Sequence, residues 1–142
     1  MINVAYAVGR ILLSVLFIVA GIQKLMDVKA IARTLETIPV PVPEEVVPYL
    51  GGMPKYEALG YLVGAVETIG GLMVLIGLKA RWAALALIVF PACAIYFAHH
   101  FWDMQGAEFS SNLTLALKNL SIMGGLLLVV AAGPGSSAMD RR

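Results

Sequence analysis

Four long, predominantly apolar stretches, residues 4–26, 56–78, 82–102 and 113–133, limit what this chain can become. Each is long enough, at 1.5 Å rise per residue, to cross a hydrocarbon core of about 30 Å. Backbone amides in lipid must be satisfied inside the segment or by a closed barrel. None of the four stretches alternates apolar and polar residues as a barrel strand does, so the expected fold class is all-α, a bundle of four transmembrane helices. A cleaved leader would need a basic segment ahead of a short apolar run, and residues 1–9 carry no charged side chain, so the first stretch is read as a span. Residues 1–142 are expected to form a single integral membrane domain.

Composition excludes several alternatives. Hydrophobic residues make up 60% of the chain and charged residues 13%, about half the share usual in soluble domains. Ten Lys and Arg against nine Asp and Glu leave a formal charge of +1, so no basic field attracts nucleic acid. The single cysteine, Cys93, allows no internal disulfide and no CxxC motif, and is read as an inert thiol.

Orientation follows from Lys and Arg near the span ends. The turn at residues 77–82 carries Lys79 and Arg81, the tail ends in Arg141 and Arg142, and residues 103–111 have neither Lys nor Arg. Both termini are therefore expected to be cytoplasmic. Lys24, Lys29, Arg33 and Lys55, in or beside the first connection, oppose that assignment. This connection has two parts. Behind Asp27, an expected N-cap, Val28, Ile31, Leu35 and Ile38 recur on one face, an amphipathic pattern expected to rest on the membrane surface. Pro39, Pro41 and Pro43 then prevent helix, and an extended, lid-like loop is expected over residues 39–48.

Polar residues inside the spans are the candidates for function. Each ionisable group there costs about 2.5 to 3.5 kcal/mol on insertion scales and so needs a partner, a wet cavity or a task. Arg10, Ser14, Phe17, Gly21 and Lys24 share one stripe of the first helix. Gly60, Gly64, Glu67 and Gly71 share one stripe of the second, where the glycines allow a close helix contact and Glu67 points into the bundle. The fourth helix carries Thr114, Lys118, Ser121 and Gly125, with Asn119 about 100° around from Lys118. His99 and His100 follow Tyr96 near the end of the third. Counted from the span edges, Glu67 lies about 16 Å from the outer boundary, Lys118 about 9 Å from it and Arg10 about 9 Å from the inner one. These depths predict a buried cluster of Arg10, Glu67 and Lys118, with Lys24, His99, His100 and Asn119 outside it. Together the outer residues predict a polar vestibule capped by residues 39–48. The same charges could instead only neutralise one another and fix helix register. The histidines could be the wet tip of an interfacial aromatic belt with Phe97, Phe101 and Trp102. No residue set has metal-ligand spacing, no catalytic residue is assigned, and no cofactor motif is visible.

The ordered segments GRILL at 9–13, AGIQKL at 20–25, ETIGGLMVLIGLKAR at 67–81, NLSIMGGLLL at 119–128 and GPGSS at 133–137 resemble the DoxX family of small bacterial membrane proteins over nearly the whole chain. The resemblance implies a four-helix bundle in the bacterial inner membrane. It also implies a link to redox chemistry. Some members are subunits of quinone-linked oxidoreductases, including thiosulfate:quinone oxidoreductase, and others associate with proteins that handle thiols and oxidants. Two classes of function follow. In one, the chain is a membrane subunit of an oxidoreductase complex, with a quinone between its helices and partner subunits bound to it. In the other, it is a non-enzymatic scaffold or small-molecule-binding protein, alone or as a homo-oligomer in the bilayer.

Overall fold

A computed structural model describes residues 2–135 and 139. Its elements run α1 (Ile2–Met26), α2 (Val28–Thr37), a 3-10 helix (Glu44–Leu50), α3 (Lys55–Ile76), α4 (Ala80–Cys93), a π-helical turn (Ala94–Ala98), a 3-10 turn (Phe101–Asp103) and α5 (Gly106–Ala132). Among the described residues there is no strand. Four helical segments, Val4–Met26, Lys55–Ile76, Ala80–Asp103 and Gly106–Ala132, are long and apolar enough to cross a membrane. Their outward surfaces expose Val8, Leu12, Val19, Leu62, Ile69, Leu85, Val89 and Leu128, the side chains that lipid tails accept.

Lipid tails are as apolar as leucine, so packing rather than flight from water holds such helices together, and small residues decide where they meet. The closest approach is between α1 and α3. A Cβ added to Gly21 would lie 2.7 Å from the Gly64 carbonyl oxygen, and one on Gly71 would lie 3.0 Å from the Ile18 nitrogen and 3.1 Å from the Ser14 oxygen. The glycine stripe read from the sequence is therefore the α1–α3 seam. Gly70 receives the Leu87 side chain of α4, and Gly125 of α5 receives Leu13 of α1. The apolar core, Phe17, Val74, Ala80, Ala83, Ala84, Leu87, Leu126 and Val129, fills the bundle between these contacts.

The structure departs from the sequence expectations in four places. Asp27 does cap α2, accepting from the Ala30 amide at 3.1 Å. The apolar face of α2, however, turns onto the start of α3, with Val28 and Ile31 against Gly60, rather than facing a membrane surface. After the prolines the chain does not stay extended. Residues 44–50 coil into an exposed 3-10 helix tied down by an ion pair between Glu44 and Lys55, and this helix packs on α3 without covering the bundle. The third span is not one regular helix. Pro91 has no amide to donate, and beyond it the ladder widens to a π turn in which the His99 amide bonds the Ala94 carbonyl at 2.9 Å. Conversely α5 starts at Gly106, so most of the expected loop at 103–111 is helix.

At the end of the bundle where α1 begins and α5 ends, cationic and phenolic groups satisfy carbonyls at and just beyond the end of α5. Arg81 donates to Val130 O at 2.9 Å and Ala131 O at 3.0 Å, Tyr6 donates to Gly133 O, and Arg10 donates to Pro134 O. Val130 O and Ala131 O are among the acceptors that a helix leaves unpaired at its C-terminus, where its dipole also favours cations, and Gly133 O and Pro134 O belong to the two residues that follow it. Gly133 has φ +78, and a Cβ there would lie 2.9 Å from two nitrogens of Arg81. Only glycine allows this closure.

Candidate functional site

The buried acid of α3 finds its partner on α1. Lys24 Nζ donates to Glu67 Oε2 at 2.6 Å, with the Glu67 side chain 7% exposed and that of Lys24 24% exposed. The glycine seam explains the pairing. Gly21 lies against Gly64 and Thr68, and Gly71 against Ser14 and Ile18, so the two helices run antiparallel with Glu67 near the level of Phe17 and Gly21. Lys24, one turn further along the same stripe, spans the remaining distance with its flexible stem. Arg10 lies about 10 Å along the axis in the other direction, seven residues below Phe17.

The expected cluster of Arg10, Glu67 and Lys118 is therefore not assembled. Arg10 is buried, 4% exposed, but it serves the end of α5, where it donates to Pro134 O. Lys118 is exposed on α5. Among the described residues the ion pairs are Lys24–Glu67 and Lys55–Glu44. Depths counted from apolar edges misplaced the charges because glycine contacts, not the ends of hydrophobic runs, set the vertical register of α1 against α3.

A groove of about 310 Å³ adjoins the pair, lined by Ala20, Gln23, Lys24, Asp27, Ala30, Ile31 and Thr34. It lies on the flank formed by the end of α1 and the start of α2 and is not an internal vestibule under residues 39–48. Gln23, close to the end of the first span, and Thr34, outside the spans, carry no signal of their own in the sequence, because neither interrupts the apolar pattern of a span core. A second groove, about 280 Å³ between α3 and α4, is lined by Val66, Ile69, Gly70, Met73, Trp82, Ala83 and Ala86 and offers no ionisable group.

The histidines stand at the same end of the bundle as Lys24, where α4 gives way to α5. His99 Nδ1 lies 3.1 Å from Asn112 Oδ1, and the Asn112 amide nitrogen donates to Glu108 O at 3.1 Å. That second bond fixes which end of the amide faces the ring, so His99 donates from Nδ1. His100 lies beside Trp102, ring centroids 6.2 Å apart, in a cluster that also joins Tyr96 to Phe97 and Phe101 to Phe109. Asn119 is half-buried on the inward side of α5. Among the described residues no three His, Cys, Asp or Glu side chains gather to hold a metal ion.

Four membrane-length helices around a buried Lys–Glu pair define a small helical integral membrane protein. The DoxX family model matches residues 5–100, and the chain belongs to the DoxX family. It is similar to inner membrane protein YqjF of Escherichia coli strain K12, 32% identical over 139 residues that cover 98% of this chain and 92% of the relative. It is also similar to inner membrane protein YphA of the same organism, 27% identical over 95% of this chain and 87% of that one. An uncharacterized membrane protein of Mycobacterium tuberculosis is 29% identical over 94% of this chain and 77% of its own length. No solved structure matches the chain.

Proposed function

We propose that this chain is a membrane subunit of a quinone-linked oxidoreductase complex in the bacterial inner membrane, and that the Lys24–Glu67 pair with the adjoining groove holds the quinone head. The observation that carries this reading is the pair itself, a lysine and a carboxylate joined at 2.6 Å in an otherwise uncharged seam, with the lysine still lining a groove of about 310 Å³. The groove is shallow and open to the surroundings, so it would take one edge of a single-ring head while the tail stays in lipid. Lys24 and Gln23 have donors for carbonyl oxygens. Glu67 fixes the position of the Lys24 ammonium, and gives the site a carboxylate that can accept a proton. A quinone brings the electron and proton carrier, and the electrons come from a partner subunit. Termini on the cytoplasmic side put this groove, with His99 and His100, toward the outer face.

The test is equilibrium binding of a short-tailed benzoquinone or naphthoquinone to the full chain in nanodiscs. Saturable binding that falls at least about tenfold in Lys24→Met supports the reading. Unsaturable partitioning into the disc, identical in Lys24→Met, removes the quinone and leaves a scaffold in which the pair only joins α1 to α3.

A further inference from the structure

The outward face of α5 differs from those of the other spans. Through their middles α1, α3 and α4 present lipid with Leu12, Val15 and Val19, with Leu62 and Ile69, and with Leu85 and Val89. Near the level of Val19 and Cys93, α5 exposes Lys118 between exposed Thr114 and Ser121. The two hydroxyls bond their own helix, Thr114 to Ser110 O at 2.9 Å and Ser121 to Leu117 O at 3.0 Å. The ammonium of Lys118 is the polar group that this face leaves to be matched from outside. Among the described residues no carboxylate lies within ion-pair distance of it. Six residues on and about 120° around the helix, Gly124 is exposed and a Cβ there would meet nothing within 4 Å, so the flank of this face is also open to a neighbouring helix.

The geometry points to this face as the docking site for a transmembrane helix of a different protein, one that carries an aspartate or glutamate at the depth of Lys118. Charge complementarity selects that occupant. A second copy cannot supply the anion, because Glu67, the one acid in the interior of the described spans, is buried and held by Lys24. Two copies meeting symmetrically here would instead set Lys118 against Lys118. The inference rests on the chain being a subunit of an assembly and names the surface that the assembly uses. It does not depend on the quinone.

Exposed Cys93 on α4 provides a labelling point for a direct test. The donor-labelled full chain is reconstituted in phosphatidylcholine vesicles with an acceptor-labelled synthetic leucine–alanine helix bearing one central glutamate. Association should exceed that of the same helix with a central leucine by about tenfold, and Lys118→Met should abolish the difference while Lys118→Arg keeps it. Because Lys118 is exposed, Lys118→Met should melt like the parent, which is checked in the same preparation. Equal association of the two helices would overturn the proposal. So would energy transfer between copies of the chain that Lys118→Met removes, which assigns the face to self-association. A preference for the glutamate helix that vanishes when anionic lipid is added would assign Lys118 to a headgroup phosphate instead.

Discussion

Lys24 on α1 holds Glu67 on α3 at 2.6 Å, one turn beyond the point where Gly21 and Gly64 bring the two helix backbones together. Seam and ion pair are parts of one arrangement. The glycines set the separation and register that let a lysine stem reach the acid, and the pair neutralises the charge that the seam buries.

Gly21→Ala should therefore be costly although the added group is one methyl. Its Cβ would lie 2.7 Å from the backbone nitrogen of Thr68 and from the Gly64 carbonyl, neither of which can turn aside, so α1 and α3 must separate. The expected loss is about 1 to 3 kcal/mol in detergent unfolding. Gly9→Ala, with nothing within 4 Å of the added carbon, should be neutral or slightly stabilising.

Arg81→Met should loosen the end of α5. It removes donors from Val130 O and Ala131 O, hydrogen bonds from a charged group worth about 1.5 to 3 kcal/mol in favourable settings and less at this exposed position. Hydrogen exchange should quicken in the last turn of α5 and stay unchanged in the first turns of α3. Uniform protection across α5 in the variant would mean that Tyr6 and Arg10 hold the end without it.

Topology is tested by reporters. With both termini cytoplasmic, reporters after Arg142 and at Lys79 should read inside, and one at Gln105, in the short connection before α5, should read outside. Arg141 and Arg142 lie outside the described residues, so this orientation rests on charge placement alone.

The four spans were legible because bilayer thickness imposes a length that few other structures share, and the α1–α3 seam was legible because glycines four apart have one main use in a membrane helix. Two features were not. Axial register between helices depends on which glycine meets which, so counting depth from apolar edges brought Arg10 to Glu67 and left Lys24 outside. The rotation of α5 about its own axis was also hidden, because leucines surround that helix and only contacts such as Leu13 on Gly125 and Asn112 on His99 decide which side faces inward. Lys118 was expected inside for that reason and is exposed. The break at His99 had a visible cause in Pro91, but a proline says where a ladder is disturbed and not that a π turn follows.

The most direct test is a double-mutant cycle on Lys24 and Glu67, read by detergent unfolding of the full chain. Lys24→Met leaves the buried Glu67 carboxylate without its counterpart and should cost on the order of 3 kcal/mol, while Glu67→Gln leaves the half-buried Lys24 unpaired and should cost a smaller but measurable amount. The double variant should lose far less than the sum, and a charge swap, Lys24→Glu with Glu67→Lys, should recover part of the parent stability. Single losses that simply add, or a Glu67→Gln variant that unfolds like the parent, would contradict the pair and with it the site built around it.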